Sequence, residues 1–108
     1  NENLLDAVTA LSGSGPAYFF YIVKHMIEAG KKMGFDEVAS AMLVKQTMLG
    51  AFHLVNNANK SLDDLIKAVA SKGGTTEAAL NTFEKNKIGQ GLQEGIVSAR
   101  DRATELSK

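Results

Sequence analysis

Apolar side chains recur at intervals of three and four along almost the whole chain, and nowhere do they alternate with polar ones over a strand-length run. That periodicity restricts the fold to α-helices. Leu4, Leu5, Val8 and Leu11 set the first stretch, which "SGSGP" interrupts. Pro16 suits the first turn of the next helix, where a missing N–H costs nothing. Phe19, Phe20, Val23, Met26, Ile27 and Met33 form its broad apolar face, and Gly34 reads as the terminating C′ residue. Asp36 is the expected N-cap of a third helix carrying Val38, Met42, Leu49, Phe52 and Val55. At about 20 residues this helix spans roughly 30 Å, close to the diameter of a domain of this length, whose radius of gyration is about 13 Å. So long a helix either sticks out of a monomer or crosses a partner.

Ser61 and Asp64 resemble a capping box opening the Leu62, Leu65, Ile66, Val69 stripe, which "SKGG" ends. Ala78, Ala79, Leu80 and Phe83 lie inside the next helix. Ile88, Leu92, Ile96, Ala99, Ala103 and Leu106 form a near-heptad seam in the last. The expected architecture is one all-α domain of about six helices over residues 1–108.

Twelve basic residues balance twelve acidic ones, so there is no electrostatic footprint for nucleic acid or an anionic membrane surface. The absence of cysteine removes disulfides, thiolate metal sites and cysteine nucleophiles. No apolar run reads as long enough to span a bilayer and no signal-peptide pattern is present, so the default location is cytoplasmic. His25 and His53 have no partner at metal-ligand spacing, and no metal is expected. Tyr18 and Tyr21 read as packing residues with wet hydroxyls.

The chain has ten glycines and one proline, and the glycines cluster at a few junctions and in one late helix rather than in a linker. In "SGSGP" the pair Gly13-x-Gly15 invites a dinucleotide-loop reading, which fails because the third glycine would fall at Tyr18 and no strand precedes. A helix–helix corner with Ser14 or Gly15 at the cap is the structural alternative. "GGTTE" offers more. Gly73 can close one helix in the left-handed conformation, Gly74 leaves the backbone open to close approach, and Thr75 or Thr76 can cap the next helix. Free N–H groups, a hydroxyl and the positive end of a helix dipole would then surround one small space suited to a carboxylate or phosphate. A plain turn with a cap explains the same residues.

Read together, "DAVTALSGSGPAYFFYIVKHMIEAGKKMGF", "QTMLGA" and "VASKGGTTEAAL", in that order, resemble the C-terminal helical domain of pyrroline-5-carboxylate reductases over about residues 4–107. The resemblance implies a helical domain like the C-terminal one of 6-phosphogluconate dehydrogenase, interlocked in a homodimer that assembles further in some cases. It implies a preceding Rossmann domain, absent from residues 1–108, that holds NADPH or NADH. The implied reaction is reduction of 1-pyrroline-5-carboxylate to L-proline, the last step of proline biosynthesis, and these residues alone are expected to be inactive.

Carried over position by position, Ser71, Gly73, Gly74, Thr75 and Thr76 match the loop that holds the substrate carboxylate. Thr9 matches a position near the ring nitrogen, in a catalytic role; because a hydroxyl is too weak an acid to ionise at neutral pH, orientation through a hydrogen bond is the favoured contribution. Ser12, Gly13, Ser14 and Gly15 match the segment facing the nicotinamide. The sequence departs from the family at Lys72, where proline is common; lysine restores an N–H, frees φ and adds positive charge beside an anionic substrate. The competing expectation is a helical dimerisation module without catalysis, and a third is a reductase acting on another imine or a β-hydroxyacid.

Overall fold

The computed structural model describes residues 2–70 and 74–108. Among them are six α-helices, one π-helical segment and no strand. Helix α1 (Glu2–Val8) runs directly into the π segment Thr9–Gly13, followed by α2 (Gly15–Lys32), α3 (Glu37–Asn57), α4 (Leu62–Ala70), α5 (Gly74–Lys85) and α6 (Ile88–Leu106).

The helix ends follow local chemistry. Gly34 takes φ +109°, Phe35 N–H reaches the Gly30 carbonyl and Gly34 N–H reaches that of Lys31, both at 3.1 Å. These are the paired bonds of a Schellman motif, with glycine in the position that requires left-handed backbone. The Asp36 carboxylate accepts from Ala39 N–H at 2.8 Å and opens α3. The Ser61 hydroxyl accepts from Asp64 N–H at 3.0 Å and opens α4. Between α5 and α6 the break falls on Lys87, at φ 56°, with neither glycine nor proline to announce it.

Two bodies result, one comprising Asn1–Phe20 and Ala79–Lys108, the other Tyr21–Ala78. In the first, α1, the π segment and α6 pack together. The Thr104 hydroxyl on α6 donates to the Asp6 carboxylate on α1 at 2.8 Å, closing a contact across 98 positions of sequence. In the second, α3 packs on α4, and the start of α3 meets the end of α2 at one tight point. There Ser40, only 1% exposed, donates its hydroxyl to the Ile27 carbonyl at 2.8 Å. Gly30 makes the approach possible, since a Cβ on it would lie 2.0 Å from Ser40 Oγ. Lys31 bridges the same corner, 3.3 Å from Glu37 and 3.5 Å from Glu28. The Glu37 hydrogen bond, then the charges of both carboxylates, raise its pKa above the usual lysine value. Such a pair contributes while lysine is charged and is lost as pH rises through the folded pKa; fully at the surface, it is a small effect.

The apolar stripes read from the sequence do form, but largely on the outside of this chain. Among the described residues the buried apolar side chains are Ala10 and Val44. On α3 the whole stripe is exposed, from Val38 at 74% to Phe52 and Val55 at 56%. Helix α3 is also long and apolar enough, by length and composition, to cross a membrane, which corrects the expectation that no segment reaches that measure. Lys45, Gln46 and His53 along it argue for a protein partner over lipid, because a lysine near the centre of a spanning helix costs about 2.5–3.5 kcal/mol.

Gly30→Ala is expected to destabilise the folded chain by about 1–3 kcal/mol, overpacking outweighing the gain of about 1 kcal/mol in helix propensity. Denaturant unfolding of the two proteins measures this, and equal midpoints would refute the Gly30–Ser40 contact.

Candidate functional site

Five residues of "TALSG" form a π turn where α1 would otherwise continue. The bond that marks it runs from Ser14 N–H to the Thr9 carbonyl at 2.9 Å. In an α-helix the same N–H would reach Ala10 instead. Ala10 is 1% exposed, so its carbonyl needs another donor. Pro16 has no N–H to offer. The donor is the Tyr18 hydroxyl, 2.5 Å away. Single π turns inside helices are uncommon and concentrate at functional sites.

This turn brings Thr9, Ser12, Gly13, Ser14 and Gly15 into one short segment. Thr9, Ser12 and Gly13 are exposed, Ser14 is half-buried and Gly15 is buried. The Thr9 hydroxyl donates to the Leu5 carbonyl at 3.2 Å, so outward it presents lone pairs. A Cβ on Gly13 would rest against Thr9 Cγ2 at an ordinary 3.8 Å, placing the two residues side by side.

Helix α5 starts at Gly74, so Gly74, Thr75 and Thr76 make up its first turn. This corrects the expectation that Thr75 or Thr76 is the cap: both are already helical. The N–H groups of a first turn have no carbonyl partner within their own helix, and the dipole adds positive potential there. Gly74 and Thr75 are exposed and Thr76 half-buried. Among the described residues, apart from Gly74's chain neighbours and the backbone of its own helix, no atom lies within 4 Å of where a Gly74 Cβ would stand. Glu77 shares the turn, and its negative charge works against a bound anion. Ser71 and Gly73, expected in the same site, lie outside the described residues, as does Lys72.

Tyr18 is the residue that sequence reasoning misread, since its hydroxyl is donated to a buried carbonyl instead of to water. No pattern announces a contact eight positions apart that depends on a π turn. His25 stands edge-on to the Tyr21 ring, with centroids 4.5 Å apart, and His53 lies beside Phe52. Among the described residues no three His, Cys, Asp or Glu side chains converge as metal ligands would.

Comparison with known proteins places these features in context. The family model described as pyrroline-5-carboxylate reductase dimerisation matches residues 2–106. The pyrroline-5-carboxylate reductase of Pseudomonas aeruginosa is 38% identical over 108 residues, all of this chain and 40% of that protein. The Arabidopsis thaliana reductase is also 38% identical over 108 residues, 39% of its length. The crystal structure of Plasmodium falciparum pyrroline carboxylate reductase with NADP bound superimposes with a TM-score of 0.95 at 30% identity, over 100% of this chain and 41% of that one. A Coxiella burnetii pyrroline-5-carboxylate reductase gives 0.92 at 36% identity, over 100% and 40%. The chain thus spans about 40% of the length of the relatives it matches.

Because the space beside Gly74 is open, Gly74→Ala is expected to leave the thermal unfolding midpoint unchanged or raise it slightly, alanine being favoured over glycine in a helix by up to about 1 kcal/mol. Circular dichroism melting measures this, and a lowered midpoint would mean that the chain itself fills that space.

Proposed function

We propose that this chain, which belongs to the pyrroline-5-carboxylate reductase dimerisation family, is the self-associating and substrate-binding part of a pyrroline-5-carboxylate reductase. The family match over residues 2–106 carries the reading. In it, a Rossmann domain elsewhere in the protein binds NADPH or NADH, and two copies of the helical domain interlock. The substrate is 1-pyrroline-5-carboxylate, the product L-proline and the location cytoplasmic. Bound NAD(P)H supplies the hydride that the imine carbon accepts.

The chain's own residues bind and orient. The N–H groups of Gly74, Thr75 and Thr76, with the Thr76 hydroxyl, donate to the substrate carboxylate, and Ser71 and Gly73 are assigned to the same substrate-binding set. Open space beside Gly74 supports a close approach there. Thr9 serves the ring nitrogen. With its proton committed to the Leu5 carbonyl, its oxygen accepts a hydrogen bond and so favours the protonated, iminium form, which is the better hydride acceptor. Ser12, Gly13, Ser14 and Gly15 face the nicotinamide; their small side chains fit a flat ring at close range, and exposed Ser12 and Gly13 would form the surface. Positioning supplies most of the rate, because the cofactor carries the chemistry.

Oxidation of NADPH or NADH by the complete protein in the presence of 1-pyrroline-5-carboxylate tests this, and activity is expected. Failure to turn over either cofactor would leave a dimerisation module without catalysis. Thr9→Val is expected to lower kcat by about 10–100-fold, as for loss of a hydrogen bond to a charged group worth about 1.5–3 kcal/mol. Thr76→Ala is expected to raise the imine KM by about 10-fold with a smaller change in kcat, the signature of lost ground-state binding. If Thr76→Ala leaves KM unchanged, the α5 terminus is not the carboxylate site.

A further inference from the structure

We infer that Tyr18 is a positioning residue: its hydroxyl, by holding the buried Ala10 carbonyl, keeps Thr9–Gly13 in the π turn that presents Thr9 beside Ser12 and Gly13. The role assigned to those residues rests on the reductase reading; the lock itself rests on geometry alone.

The Ser14 N–H can serve the Thr9 carbonyl, 2.9 Å away, or, in an α-helical turn, the Ala10 carbonyl. It cannot serve both well. With Tyr18 in place, the Ala10 carbonyl is satisfied at 2.5 Å and the π arrangement leaves it no deficit. Without the hydroxyl, that carbonyl is buried with no donor, Ala10 being 1% exposed. The nearest repair is for the Ser14 N–H to move from Thr9 to Ala10. That shift turns the segment from π to α and rotates Ser12–Gly15 relative to Thr9. A phenyl ring alone does not prevent it; the hydroxyl oxygen does. Tyr18 sits one turn into α2, two residues after Pro16, so the rigid start of α2 fixes where the hydroxyl stands. The device therefore links the backbone state of the π turn to one side-chain oxygen that need not touch substrate.

Tyr18→Phe in the complete protein is the test, with Ser40→Ala as the comparison because it removes a buried hydroxyl bond in the other body, at the corner between α2 and α3. A crystal structure of Tyr18→Phe is expected to show the Ser14 N–H moved to the Ala10 carbonyl. Under the reductase reading, kcat is expected to fall about 10-fold, with the cofactor KM changed less than about twofold, while Ser40→Ala keeps kcat within about twofold. A π turn unchanged in the variant structure overturns the inference, whatever the activity. Equal kcat losses in Tyr18→Phe and Ser40→Ala also overturn it, since general loosening would then be the cause. An unsubstituted protein without reductase activity counts against the reductase reading alone, because the variant structure still decides whether the lock exists.

Discussion

Helix α3 carries its apolar side chains where its own chain cannot cover them, and the rest of the molecule is organised around that fact. Fully burying a side chain such as Val, Leu, Phe or Met stabilises by about 1.5–3 kcal/mol. Val38, Met42, Leu49, Phe52 and Val55 are all exposed. Covering these five would contribute on the order of 10 kcal/mol, comparable to the whole net stability of an ordinary domain, about 5–15 kcal/mol. Leu4, Leu5, Leu11, Phe19 and Phe20 show the same pattern in the other body. Within one chain, stability is left to contacts with little reach: the Gly30–Ser40 approach, the Asp6–Thr104 bond and the packing of α1, the π turn and α6.

That economy suits a domain built to associate. A helix of 21 residues, about 31 Å at ~1.5 Å per residue, is too long to be wrapped by the short helix α4 beside it, and two copies crossing would cover both. The candidate segments are backbone features, a π turn in one body and a helix start in the other.

The sequence made the helices and most of their ends legible because those are decided within a few residues. Asp36, Ser61 and Gly34 each act on neighbours at most five positions away, so composition and spacing suffice. Periodicity picked out apolar faces that are exposed within this chain, and missed Ala10 and Val44, the buried apolar side chains among the described residues. It could not tell that those faces would remain uncovered, since a stripe looks the same whether its cover comes from this chain or another. The π turn was hidden for a related reason: "TALSG" is unremarkable by propensity, and its state depends on a hydroxyl from the next helix. Nothing in the local pattern marks Gly30, because Ser40, its reason for being there, lies ten positions on. Thr75 and Thr76, either of which was expected as the cap of α5, lie inside the helix. The Ser-Gly-Thr set was found as a motif, yet its chemistry came from resemblance, since free N–H groups alone do not distinguish one anion from another.

Sedimentation equilibrium of the 108-residue chain tests most directly whether the uncovered apolar faces are an association surface. A species of twice the 11.5 kDa chain mass is expected throughout the micromolar range. A cooperatively folded monomer of 11.5 kDa over that range would contradict it, because those faces would then be stable in water without a partner.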